Sequence, residues 1–256
     1  MLPESIKDEI NLIINHQHYY EKISKWNIKT SMLYKTQTIK AIFHGDSGTG
    51  KTLCARYIDS ALNKDMFQAC PDAIFQRWVG ESEKFARKLF TDYKKILEID
   101  PDNAPILFID EADSLFARRV AVNQKSDFTL NTVINIFLEE LEACKGIVLC
   151  CTNLMNENHI DSAFLRRFNF KIKFELPNPA ERVRIFQSHL GNAPLSPEIN
   201  LEKICAKYTF SGGQIAKITE RCVLLAAVED SNMIKEKHII KAFESELNCL
   251  NRSGYK

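Results

Sequence analysis

Ala41-Ile42-Phe43-His44-Gly45-Asp46-Ser47-Gly48-Thr49-Gly50-Lys51-Thr52-Leu53 carries three signals in one uninterrupted stretch. Ala41-Ile42-Phe43 reads as a buried strand, Gly45 to Thr52 satisfies G-x-x-x-x-G-K-[ST], and Leu53 opens a pattern with Tyr57, Ile58, Ala61 and Leu62 on one helical face. Glycines allow the backbone to curl so that successive N–H groups converge on phosphate oxygens, and the helix that follows adds the positive end of its dipole. A lysine at position 51 reaches the β and γ phosphates, and the Thr52 hydroxyl is a ligand for Mg²⁺. Gly45, Asp46, Ser47, Gly48, Thr49, Gly50, Lys51, Thr52 and Leu53 are therefore the candidates for binding ATP. A Gly-rich turn with an exposed lysine would not need a strand before it and an amphipathic helix after it.

The same chemistry needs acids, and Ile106-Leu107-Phe108-Ile109-Asp110-Glu111 supplies them. Four apolar residues form a strand that delivers two carboxylates to the edge of a sheet, where α/β proteins bind ligands. Asp110 joins Thr52 as a candidate holder of Mg²⁺, and Glu111 is the candidate general base for an attacking water. Asp113 reads as a charge at the start of a helix and stays outside the site.

Working outward, short apolar runs alternate with helical patterns from residue 39 to 177. Besides Ala41-Ile42-Phe43 and Ile106 to Ile109, strands are expected at Ile147-Val148-Leu149-Cys150-Cys151 and from Ile172 to Leu176. Strands apolar on both faces, each followed by a helix, imply a parallel sheet sandwiched between helices. Residues 1–38 form a helical preface, with Ile6, Ile10, Ile13 and Ile14 at helical spacing. Pro177-Asn178-Pro179 marks a boundary, and residues 178–256 read as a small helical lid built on Val183, Phe186, Leu190, Ile215, Ile218, Cys222, Leu225, Ile239, Ile240 and Phe243. The fold expected is an α/β P-loop three-layer sandwich followed by that lid.

Composition excludes several classes. Lys+Arg of 34 against Asp+Glu of 33 leaves a net charge of +1, so no global field recruits nucleic acid or an anionic membrane. No apolar run approaches the roughly 20 residues of a membrane span. With no such span and no signal-peptide pattern around Pro3, Glu4 and Asp8, the expected location is cytoplasmic, and the 8 cysteines, which contain no C-x-x-C pair, read as reduced, mostly buried thiols.

The order and spacing of these motifs resemble the AAA branch of the AAA+ ATPases. Within it the chain is most similar to bacterial ATPases with a C-terminal AAA domain, through Leu2-Pro3, Ala41-Ile42-Phe43-His44-Gly45 and Ala163-Phe164-Leu165-Arg166-Arg167-Phe168. The resemblance implies an ATP hydrolase working as a homo-hexamer or other ring. It places Asn153 at the sensor position that orients the lytic water, although Asn also suits a strand end as a turn former. It puts Arg166 and Arg167 in the arginine-finger region, whose guanidinium reaches the nucleotide of the neighbouring subunit; a solvated basic patch is the other reading. His189 matches a position near the ribose or base, and Gly212, in Ser211-Gly212-Gly213, a turn that adenine approaches; an ordinary helical histidine and a plain helix start remain open. Trp78 and Gly80, in Arg77-Trp78-Val79-Gly80-Glu81, resemble the pore loop that grips a protein substrate, although a large aromatic also suits a core position.

Two features depart from the pattern. Asp127 to Val133 is less charged than the stretch that communicates between subunits in the family. The preface is too small to recognise a substrate, which implies an adaptor or a longer protein. Remodelling of protein substrates is the leading function, with a nucleotide-dependent scaffold of little turnover as the alternative. A DNA-directed loader fits less well, because no arginine stands at the Ser211 turn.

Overall fold

A computed structural model of the chain describes residues 2–25, 38–69, 71, 81–116, 125–154 and 159–252. Five parallel strands form one sheet in the order β2-β3-β4-β1-β5. They are β1 (Ile39–Gly45), β2 (Met66–Ala69), β3 (Ile106–Ile109), β4 (Ile147–Thr152) and β5 (Phe170–Phe174). The parallel α/β architecture expected from the sequence is present. Beyond the four anticipated strands the structure adds β2, which among the described residues pairs only with β3 at the edge of the sheet. The last expected strand is shifted: pairing runs from Phe170 to Phe174 and stops before Leu176, which is exposed beside Pro177.

Alternation along the strands builds two cores, one on each face of the sheet. Ile42, Leu107, Ile109, Val148 and Cys150 face one side. There they meet Phe90 and Tyr93 of α4 (Glu81–Ile99), Phe116 of α5 (Asp113–Phe116), Phe137 and Leu141 of α6 (Lys125–Ala143), and Phe164 of α7 (Ser162–Leu165). Ala41, Phe43, Ile106, Phe108, Leu149, Cys151, Ile172 and Phe174 face the other. They are covered by Cys54, Ala55 and Ile58 of α3 (Lys51–Leu62) and by Ile6, Ile10 and Ile13 of α1 (Glu4–Ile14), which α2 (His16–Ser24) follows. The first helix of the preface is thus part of the α/β core. Each fully buried aromatic removed from water here contributes about 1.5–3 kcal/mol.

The C-terminal segment is helical, as expected. Helix α8 (Pro179–Leu190) begins where Asn178 caps it: the Asn178 side chain accepts from the Glu181 backbone N–H, the Glu181 carboxylate accepts from the Asn178 backbone N–H, and Pro179 occupies the first helical position. After it come α9 (Leu201–Lys207), α10 (Gly212–Val228) and α11 (Glu236–Arg252), of which α9 was not anticipated. They share a core of Phe186, Phe210, Ile215, Ile218, Cys222, Ile239 and Phe243. Contacts divide the chain into two units, one of Leu2–Gly45 with Lys51–Phe174, the other of Asp46–Gly50 with the chain from Glu175 onward. No described helix is long and apolar enough to cross a membrane.

Burial also sets thiol chemistry. Cys54, Cys144, Cys150, Cys151, Cys205 and Cys222 are buried, whereas Cys249 is exposed. Loss of solvation pushes the Cys54 and Cys222 thiols up to about 12 and the Cys144 thiol to about 11. Because only a thiolate attacks, iodoacetamide at pH 8 is expected to alkylate Cys249 at least about ten-fold faster than these buried cysteines in the native protein. Mass spectrometry of peptides checks this, and equal labelling of Cys150 and Cys249 in folded protein would contradict the packing described.

Candidate active site

Strand order decides what can meet at the sheet edge. β4 lies between β1 and β3, and all three run parallel, with His44 level with Thr152 and Ile109 level with Cys150. Gly45 therefore ends β1, Asp110 follows β3 and Asn153 follows β4 along one carboxyl edge, where open parallel sheets bind ligands.

Gly45 is fixed by its neighbour. Its φ is +135°, and a Cβ built there would lie 2.0 Å from the carbonyl oxygen of Phe174 on β5. No side chain can be accommodated without parting the two strands. The Gly45 carbonyl accepts a hydrogen bond of 2.7 Å from Lys51 Nζ, and Lys51 is only 6% exposed. A buried ammonium needs such acceptors, since its desolvation is otherwise costly.

In the other unit, Thr49 Oγ1 donates to the Asp46 carbonyl at 2.8 Å. The Gly48 carbonyl accepts from the Gly213 backbone N–H at 2.8 Å, and a Cβ on Gly213 would come within 3.2 Å of Gly48 Cα. Ser211 is the N-cap of α10 in a capping box with Gln214. The small residues at 212 and 213 thus let the α10 N-terminus approach the backbone of residues 46–50. Gly50 has a φ of +100°, and a Cβ added to it would meet nothing within 4 Å. Gly50 thus holds a backbone conformation that favours glycine, directly ahead of Lys51 in the chain.

On the acidic side, Thr52 Oγ1 donates to Asp110 Oδ2 at 3.1 Å. A hydroxyl and a carboxylate at this separation are hard oxygen donors of the kind Mg²⁺ takes alongside phosphates and water, so the residues present fit Mg-ATP. Glu111 has a φ of +52°, left-handed backbone that costs a non-glycine residue about 1–3 kcal/mol. Its N–H donates to Asp110 Oδ1 at 3.0 Å, and its side chain is exposed. The turn after β3 is held to β4 by the Ala112 N–H, which donates to the Cys151 carbonyl at 2.9 Å.

Asp113 takes a larger part than a helix-start charge would. Its Oδ1 accepts from Thr152 Oγ1 at 2.6 Å and from the Asn153 N–H at 2.5 Å, and its Oδ2 accepts from Asn153 Nδ2 at 3.1 Å. No spacing rule would have revealed this, because the partners lie 39 and 40 residues apart in sequence.

The two arginines differ. Arg167 Nε donates to the Leu138 carbonyl at 3.0 Å, Nη1 to the Ala163 carbonyl at 2.7 Å and Nη2 to Glu142 Oε2 at 2.6 Å, so its guanidinium is committed within its own chain. Arg166 is exposed and its side chain bonds to no described residue. Leu53 is 74% exposed on the first turn of α3. His189 is exposed in the last turn of α8. Trp78 and Gly80 lie outside the described residues, as do the side chains of Asp127 to Leu130.

The sequence profile of the ATPase family associated with various cellular activities (AAA) matches residues 41–176. Among curated proteins, the chain is similar to a probable 26S proteasome regulatory subunit 4 of Caenorhabditis elegans, 29% identical over 95% of this chain and 53% of that protein. It is 31% identical to a cell division cycle protein 48 homolog of Archaeoglobus fulgidus over 80% of this chain and 28% of that protein. An ATP-dependent zinc metalloprotease FtsH 2 of a Thermoanaerobacter species is 28% identical over 98% of this chain and 47% of that protein. The chain therefore spans about half or less of the length of these relatives. With the profile covering more than half of its residues, the chain belongs to the AAA family, whose members are ATPases.

Proposed function

We propose that this chain binds Mg-ATP and hydrolyses it within a ring of like subunits to remodel protein substrates. The observation that carries this reading is the placement of β4 between β1 and β3, with Thr52 and Asp110 3.1 Å apart at that edge. Lys51 binds phosphate oxygens, and Thr52 and Asp110 hold the magnesium ion. A bound magnesium ion supplies charge neutralisation as the terminal phosphate is transferred. Glu111 accepts the proton of the attacking water, and Asn153 orients that water. Arg166, exposed and uncommitted to its own chain's described residues, reaches the nucleotide of the next subunit. A planar, permanently charged fork suits that task.

The protein-directed role is supported by the relatives' names, which include a proteasome subunit and a metalloprotease, and by the sequence at Trp78. Large apolar area on a single side chain suits grip on a polypeptide. Buried, protonated thiols suit the reducing cytoplasm. If a ring is needed, ATPase activity per subunit rises with protein concentration and levels off as a larger species appears by light scattering. A rate per subunit that stays flat, and survives Arg166→Ala, would sink ring catalysis. Negligible phosphate release with tight ATP binding would instead favour a nucleotide-dependent scaffold.

A further inference from the structure

We infer that Asp113 is a positioning residue for ATP hydrolysis: it fixes which end of the Asn153 side-chain amide faces the catalytic edge. The inference rests on the reading of Asn153 as the residue that orients the lytic water.

An asparagine amide has two ends of nearly equal shape, a carbonyl that accepts and an NH₂ that donates, and only its partners decide between them. An ionised carboxylate accepts and never donates. Asp113 Oδ2 lies 3.1 Å from Asn153 Nδ2, so the donor end must face the acid. The other carboxylate oxygen is equally constrained. Thr152 Oγ1 accepts from the Leu154 N–H at 3.3 Å, which directs its own proton to Asp113 Oδ1 at 2.6 Å. The Asn153 backbone N–H donates to the same oxygen at 2.5 Å. Thr152 is buried, so water offers its hydroxyl no substitute. All three bonds point one way, from β4 and the residue after it into Asp113. What the described residues leave open on the Asn153 amide is its carbonyl oxygen and one N–H, in fixed order, after β4 between β1 and β3.

The isosteric change Asp113→Asn separates positioning from packing. An oxygen in the Oδ1 place retains the bonds from Thr152 and the Asn153 backbone. The new NH₂ then faces the NH₂ of Asn153, donor against donor, and the conflict is relieved when the Asn153 amide turns over. The fold survives while the two ends of Asn153 exchange places. Misplacement of a positioning group costs on the order of 10²-fold in rate, so a fall in kcat of about ten-fold or more is expected, with the KM for ATP within about two-fold of the parent.

The test is a double-mutant cycle of Asp113→Asn and Asn153→Ala, read by phosphate release, melting temperature and the ¹H–¹⁵N spectrum of the nucleotide-free full chain. Asp113→Asn is expected to lower kcat in the parent and to have no further effect when Asn153 is already Ala. The Asn153 side-chain NH₂ signals, identified by their loss in Asn153→Ala, are expected to shift in Asp113→Asn while the backbone spectrum and melting temperature hold. Losses that multiply in the double variant, or Asn153 signals that stay in place, would overturn the inference. Should Asn153→Ala hydrolyse ATP at the parent rate, the reading of Asn153 itself falls. Should Asn153→Ala be impaired and Asp113→Asn not, only the role of Asp113 falls.

Discussion

Glu111→Gln is expected to reduce ATP hydrolysis by about 10²- to 10⁴-fold while leaving ATP binding intact, the loss that follows when a general base becomes an amide of the same shape. The groups proposed to hold the nucleotide are elsewhere: Lys51 on the Gly45 carbonyl, and Thr52 paired with Asp110. Glu111 bonds to Asp110 through its backbone N–H, which the substitution retains. Asp110→Asn should behave differently, because it weakens the charge on a carboxylate that accepts from both Thr52 and Glu111; there, affinity for Mg-ATP falls along with turnover. Calorimetry with ATP and phosphate-release kinetics on the two variants separate the roles. Hydrolysis by Glu111→Gln within about three-fold of the parent would remove Glu111 as the base, since a functioning general base accounts for at least about 10²-fold.

What could be read from the sequence was what local pattern specifies. Ile106 to Ile109 are all buried, as a doubly covered strand requires, and the glycine spacing from 45 to 50 lies between the strand and the helix that local pattern specifies. Strand β2 carries a weak sequence signal, because Met66-Phe67-Gln68-Ala69 is short, contains a polar residue and sits at the sheet edge, where one exposed side relaxes the demand for apolar character. Helix α9 is seven residues long and shows only Leu201, Ile204 and Cys205 as buried apolar positions, too few turns for a period to emerge. The preface showed its amphipathic face through Ile6, Ile10 and Ile13, but a stripe does not say which surface it will cover. Asp113 is the instructive omission. At the start of a helix an acid is stabilised by the helix dipole whatever else it does, so its local sequence carries no sign that β4 brings Thr152 and Asn153 to the same carboxylate.

The adjacent arginines should part company under mutation. Arg166→Ala removes a guanidinium that no described residue of its own chain engages, so stability should change by no more than about 0.5 kcal/mol. Turnover in the assembled protein should nevertheless fall about 10³-fold or more, the amount a finger arginine contributes to phosphoryl transfer. Arg167→Ala strips donors from the carbonyls of Leu138 and Ala163 and leaves Glu142 without its cation. The half-buried carbonyls account for most of the cost, about 1–3 kcal/mol in all, and the melting temperature should drop. Arg167→Lys should not restore it, because a single ammonium cannot span three acceptors that a planar fork reaches at once. A mixing experiment then asks where Arg166 acts. Arg166→Ala subunits keep their own Lys51, Thr52 and Glu111, and Lys51→Ala subunits keep Arg166. If the finger is supplied by a neighbour, combining the two inactive variants restores hydrolysis at mixed interfaces, and activity peaks at an intermediate ratio. Mixtures that stay as inactive as their components would confine Arg166 to its own subunit. An Arg167→Ala variant that melts normally yet does not hydrolyse ATP would exchange the roles assigned to the pair.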